Sequence, residues 1–102
     1  MRSPIAAPTL VALAALALPA FAQTPDVARS VAATCANCHG TGGLSRGENE
    51  SLAGKPKDEL VRKVQDYKQG RKPGTIMPQL AKGFTDEQID LAAGWFAAQP
   101  AK

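Results

Sequence analysis

TCANCHG, residues 34–40, packs both cysteines of this chain and its only histidine into one helical turn. The approach to it, TPDVARSVAATCANC from Thr24 to Cys38, reads as a helix: Thr24 is placed to cap it, Pro25 fits the first position and Asp26 falls in the first turn. Val27, Val31, Cys35 and Cys38 recur at i, i+4, i+8 and i+11, so one stripe runs from apolar side chains into the two thiols. Whatever binds the thiols lies against that stripe. Gly40 is expected to end the helix in a left-handed conformation.

Several chemistries compete for such a cluster. A Cys35–Cys38 disulfide closes a very short loop, where the entropic gain is smallest, and leaves His39 without a role. A structural zinc site needs four protein ligands, and beyond Cys35, Cys38 and His39 the chain has no other cysteine or histidine, so a carboxylate or water must complete it. A thioredoxin-like redox pair needs a preceding strand, which the helical approach denies. The reading that uses all three residues is C-x-x-C-H, the attachment signature of a c-type haem. Two thiols on one turn reach the two vinyl groups, and the adjoining histidine presents a ring nitrogen to iron.

The chain has 102 residues, 44% of them hydrophobic, which bounds it to one small domain without repeats. Part of that apolar content is a targeting segment. Arg2 precedes an apolar run from Leu10 to Leu18, followed by Pro19 and the small-residue pattern Ala20-Phe21-Ala22, a signal peptide cut after Ala22. The run is too short and too interrupted for a membrane span, which needs roughly 20 apolar residues, so no transmembrane anchor is expected after cleavage. Residues 1–22 are thus read as signal peptide and 23–102 as the functional domain, exported to the periplasm. At about 80 residues, such a domain buries only ~60% of its unfolded surface, and a covalent haem supplies the missing apolar core. The net charge of +3 is too small and too mixed for nucleic acid.

One histidine excludes bis-histidine ligation. Apart from Met1, Met77 is the only methionine, in KPGTIMPQLAKG, residues 72–83. Pro73 and Gly74 break the chain ahead of it, and Pro78 is expected to hold Met77 in an extended loop that lays its thioether over a haem face. Two more helices wall the pocket. KPKDELVRKVQDYKQG spaces Leu60, Val64 and Tyr67 at i, i+4 and i+7, with Asp58 and Glu59 in the first turn and Gly70 closing it. Tyr67 is read as a packing ring, with a hydrogen bond from its hydroxyl to the Met77 sulfur or to a haem propionate as the alternative. GFTDEQIDLAAGWFAAQP opens on a capping box, Thr85 to Gln88, with Phe84 placed to staple onto Ile89. Ile89, Ala92, Ala93 and Phe96 form its apolar stripe, the two alanines admitting the cysteine-bearing helix closely, and Trp95 is read as packing. Between His39 and Lys55 the glycine-rich text is loop, and GTGGLS lacks the Gly-Lys-Ser/Thr ending of a phosphate-binding loop.

CANCHG early, SLAG midway, one late methionine and a closing aromatic helix together resemble a class I c-type cytochrome over the whole of residues 23–102. The resemblance implies an all-α fold of three or more helices around one haem, with His39 and Met77 as axial ligands and single-electron transfer, not bond chemistry, as the activity. Within that class, YKQGRKPGTIMPQLAKGFTDEQI is similar to the cytochrome subunit of flavocytochrome c sulfide dehydrogenase, which implies an FAD-containing flavoprotein as redox partner. Two positions depart from the pattern. Pro78 stands where those subunits carry glycine, as in free-standing carriers, and Glu50 stands before SLAG where related cytochromes often carry proline. A backbone carbonyl there is all that orienting the histidine ring requires, and that of Glu50 is a candidate. A free-standing carrier to a terminal oxidase is therefore the alternative function, and a haem sensor or peroxidase-like enzyme needs an open iron position.

No acid lies between Tyr67 and Thr85, whereas Lys68, Arg71, Lys72 and Lys82 surround the methionine. A solvated face and a basic rim steering an acidic partner are both consistent with this run.

Overall fold

The computed structural model describes residues 2–12 and 24–102. Residues 2–12 have no regular structure, and Ile5, Leu10 and Val11 are exposed along them. The expected cleavage position after Ala22, and most of the apolar run before it, lie outside the described residues. Among the described residues no helix is long and apolar enough to cross a membrane.

Four helices and a short 3-10 turn make up the described chain, with no strand among the described residues: α1 (Thr24–His39), the turn Thr41–Gly43, α2 (Lys57–Lys68), α3 (Met77–Lys82) and α4 (Asp86–Ala97). The fold is all-α. Asp26 lies in the first turn of α1 as its charge favours, and the start that Thr24 is expected to cap borders on residues outside those described. Gly40 ends α1 with φ +88°, but its ψ of 155° lies outside the left-handed helical basin. A side chain is excluded there, since a Cβ would stand 1.8 Å from the Leu44 carbonyl oxygen.

Gly43, with φ +80°, is the stitch between α1 and the middle of the chain. Its carbonyl accepts from both Leu52 N–H at 2.8 Å and Ala53 N–H at 3.1 Å, and Gly54 N–H then donates to the Phe96 carbonyl at 3.0 Å. The SLAG segment is thereby clamped between the haem-motif loop and the end of α4. The capping box of α4 is complete: Gln88 N–H donates to Thr85 Oγ1 at 3.1 Å, and Thr85 N–H to Gln88 Oε1 at 2.9 Å.

α1 packs against α4, and α2 against both α3 and α4. Ala32, fully buried, forms one cluster with Ala92, Ala93, Leu60 and Phe96, so small residues do let α1 and α4 approach. Trp95 flanks the cluster as a packing residue, its ring edge-on to Phe96 at 5.1 Å. Among the described residues five of the buried apolar ones are alanines, and the large ones are Leu60, Ile89 and Phe96. So few large side chains bury little apolar area for a domain of this size.

Candidate functional site

The apolar faces that do not meet one another enclose a cavity of about 350 Å³. Cys35, Cys38 and His39 border it from α1, Val64 and Tyr67 from α2, Met77 from α3, and Ile89 and Phe96 from α4. The two attachment cysteines and the two candidate axial ligands singled out from the sequence thus border one space. Of the expected thiol stripe, Val31 and Cys35 pack against the core, whereas Val27 is 45% exposed and does not reach the cavity. The stripe therefore begins one turn later than its periodicity implies.

No disulfide joins Cys35 and Cys38. Cys35 is half-buried and Cys38 exposed at the rim. Burial pushes the Cys35 thiol up from its ordinary value, against a lowering hydrogen bond from Thr34 and with a smaller raising effect of Cys38. Among the described residues no cluster of three or more His, Cys, Asp or Glu has the arrangement of a metal site.

The histidine is fixed by its neighbour loop. His39 Nδ1 lies 2.6 Å from the Glu50 carbonyl oxygen. A carbonyl only accepts, so Nδ1 carries the proton and donates, leaving Nε2 with the lone pair a metal needs. The carbonyl left open by the sequence is that of Glu50. One residue earlier, Asn49 Nδ2 donates to the Cys38 carbonyl at 3.0 Å, so consecutive loop residues hold consecutive residues of the motif.

Met77 is the one candidate whose local structure differs from expectation. It is the first residue of α3, not part of an extended loop, with Ile76 before it at φ −97° and ψ −47°. Pro78 falls in the first helical turn, where its missing N–H has no intrahelical acceptor to lose, so the proline starts the helix instead of excluding it. The thioether borders the cavity all the same. Tyr67 is a wall of the cavity, and no hydrogen bond from its hydroxyl to the Met77 sulfur is present among the described residues.

Ile76, 60% exposed, and Leu80, 45% exposed, border the same cavity at its mouth. Large apolar side chains around an open apolar cavity are the surface that a bound hydrophobic group covers. With two cysteines, one histidine and one methionine lining that space, the residues fit a haem.

The basic rim is thinner than the sequence implies. Lys68 donates to the Phe84 carbonyl at 2.7 Å and pairs with Asp86 at 3.0 Å, and Arg71 pairs with Asp66 at 2.9 Å. The chain between Tyr67 and Thr85 has no acid, but the carboxylates just beyond each end fold back onto it. Lys72 stands 5.0 Å over the Tyr67 ring, and Lys82 has no ion pair among the described residues. These two remain to give the rim its charge.

The sequence reading missed the ion cluster behind the histidine. The Glu50 carboxylate binds Lys55 and Lys63, the latter at 2.7 Å, and Lys63 also reaches Glu59 at 3.2 Å. Hydrogen bonds from the two lysines hold the Glu50 carboxyl down to about 2. No sequence pattern marks Lys63 as a partner of Glu50, because the loop must fold onto α2 before they meet.

The family described as "Cytochrome C oxidase, cbb3-type, subunit III" matches residues 22–96. The chain is 40% identical over 63 residues to the cytochrome subunit of sulfide dehydrogenase of Chlorobaculum tepidum, covering 62% of this chain and 57% of that protein. It is 34% identical over 70 residues to the thiosulfate dehydrogenase electron acceptor of Thiomonas intermedia, covering 65% of this chain and 32% of that protein. With cytochrome c-553 of Nitratidesulfovibrio vulgaris it shares 29% identity over 96 residues, covering 86% of this chain and 94% of that protein. The chain therefore spans between a third and a little over half of the first two relatives.

Proposed function

The chain belongs to the mono-haem c-type cytochromes, in the cbb3-type subunit III family whose members hold haem c covalently, and on that basis we propose that Cys35 and Cys38 anchor the haem while His39 and Met77 ligate its iron. The observation that carries this assignment is the convergence of these four residues on one apolar cavity. The bound haem supplies a one-electron ferric/ferrous couple. His39 offers Nε2 because Nδ1 is engaged by Glu50, and Met77 offers a soft thioether that favours the reduced state. Leu60, Ile89 and Phe96 exclude water from the space, which holds the charge change in a low-dielectric setting.

In this reading the protein is an electron carrier and catalyses no bond chemistry. Residues 1–22 form a signal peptide and 23–102 the haem domain, placed in the periplasm; the family match beginning at residue 22 supports that boundary. Its donor is the dehydrogenase of a reduced sulfur compound. Relatives named as a sulfide dehydrogenase subunit and a thiosulfate dehydrogenase electron acceptor support this donor class, with an FAD-containing flavoprotein as the partner for sulfide. A free-standing carrier is the alternative, supported by the similarity to cytochrome c-553, which runs over 94% of that protein.

Gentle purification of the tagged protein from its native periplasm separates the two. Co-purified flavin with fast haem reduction on adding sulfide establishes the sulfide dehydrogenase subunit. Haem without flavin, unreduced by sulfide, overturns it in favour of the free-standing carrier.

A further inference from the structure

The loop that presents a carbonyl to His39 has few fixings of its own. From Arg46 to Glu50 no backbone N–H or carbonyl makes a backbone hydrogen bond, and Gly47 bonds only to the nearby Ser45 hydroxyl. What ties the segment to the body, apart from the Asn49 side chain on Cys38, is the side chain of Glu50. Its carboxylate is held by Lys55, beyond the SLAG turn, and by Lys63 on α2, which itself borders the haem cavity. The same residue thus holds His39 through its backbone and α2 through its side chain.

We propose that the Glu50 carboxylate, clamped by Lys63 and Lys55, is a positioning strut that fixes the Glu50 carbonyl against His39 and so sets the strength of the imidazole as an iron ligand. The physical link is direct. A firm Nδ1–H···O=C bond makes the ring a stronger donor through Nε2, which stabilises ferric iron and lowers the potential. Releasing the carboxylate frees a loop with no backbone ladder, weakens that bond and raises the potential.

The inference rests on His39 as the iron ligand, and the test separates the two. In the ferrous holoprotein, proton NMR reads two properties of His39: the ring-current shifts of its carbon-bound protons, which report ligation, and the solvent exchange rate of Nδ1–H, which reports the carbonyl bond. Glu50→Gln and Lys63→Gln are each expected to speed Nδ1–H exchange roughly two- to fivefold, what a partly exposed ion pair holds closed. Both raise the reduction potential as well. A purely Coulombic effect is different in sign, since losing a carboxylate raises the potential and losing an ammonium lowers it. Lys63→Arg restores both readouts, and Lys57→Gln, which removes the remote Lys57–Asp90 pair at 2.9 Å, leaves both unchanged. Potentials shifting in opposite directions, or Nδ1–H exchange unchanged in both variants, overturn the strut. Absence of ring-current shifts on His39 in the wild type overturns the ligand assignment instead.

Discussion

His39 and Glu50 meet across eleven residues of chain, the imidazole Nδ1–H donating to the Glu50 carbonyl at 2.6 Å. This bond makes Nδ1 the protonated nitrogen, leaves the lone pair on Nε2, and makes Glu50 the loop residue that orients the ring. It also joins the haem motif to an ion cluster that extends to α2.

That cluster makes stability depend on acid pH. The Glu50 carboxyl is held at about 2 in the folded chain, below its ordinary value of 4.5, by the Lys55 and Lys63 hydrogen bonds. A depressed carboxylate contributes stability that is fully present above the unfolded value and is lost as pH falls toward 2. Because the side chain is 42% exposed, screening limits the contribution to under about 1 kcal/mol. Glu50→Gln should therefore unfold more readily than wild type at pH 7 and match it near pH 2, as followed by denaturant titration.

Met77→Ala should open a coordination position on the iron. The ferrous variant is expected to bind carbon monoxide readily, whereas the wild type resists it, and the weak long-red absorption of ferric haem bound to a thioether should disappear. Ready carbon monoxide binding by the wild type would sink the axial assignment of Met77.

Cys35→Ser combined with Cys38→Ser should leave a chain without cooperative unfolding. Cys35 packs on a core whose large buried members are few, so the covalent group is a major part of what the helices enclose. Circular dichroism during thermal unfolding checks this, and a sharp transition near the wild-type midpoint would refute it.

Gly43→Ala should destabilise by about 1–3 kcal/mol from the positive φ alone. The added Cβ would also meet Phe96 Cδ1 at 2.7 Å and Ala53 N at 2.8 Å, pushing the SLAG segment off α4. The denaturant midpoint reads the loss.

Lys72→Glu with Lys82→Glu should slow reduction by an acidic partner by roughly a factor of ten at low ionic strength and flatten its salt dependence. Arg71→Glu should do less, since Asp66 already neutralises that guanidinium. A wild-type reduction rate indifferent to salt counts against any steering by this rim.

Legibility in the sequence followed the range of the interaction. The three-residue motif, the capping box Thr85 to Gln88, and the stripes of α2 and α4 depend on neighbours one or two turns away, so spacing alone revealed them. Met77 was identified as a residue but given the wrong backbone, because the bias of a residue before proline is weaker than the suitability of Pro78 for a first helical turn. The basic run looked unopposed because only the acids inside it were visible to a linear reading. Asp66 and Asp86, just outside, are brought back by the turn after α2 and by the packing of α2 on α4.

Spacing alone therefore made the C-x-x-C-H motif and the helical periods legible and singled out Cys35, Cys38, His39 and Met77 as site candidates, since each is a matter of residue type and helical period, while the resemblance they carry implied the all-α class. Which carbonyl orients His39, which lysines stay free at the rim, and how Lys63 comes to hold Glu50 were decided by the packing of the loop and helices. Those pairings join residues separated by eleven or more positions, and only chain closure brings them within hydrogen-bond reach.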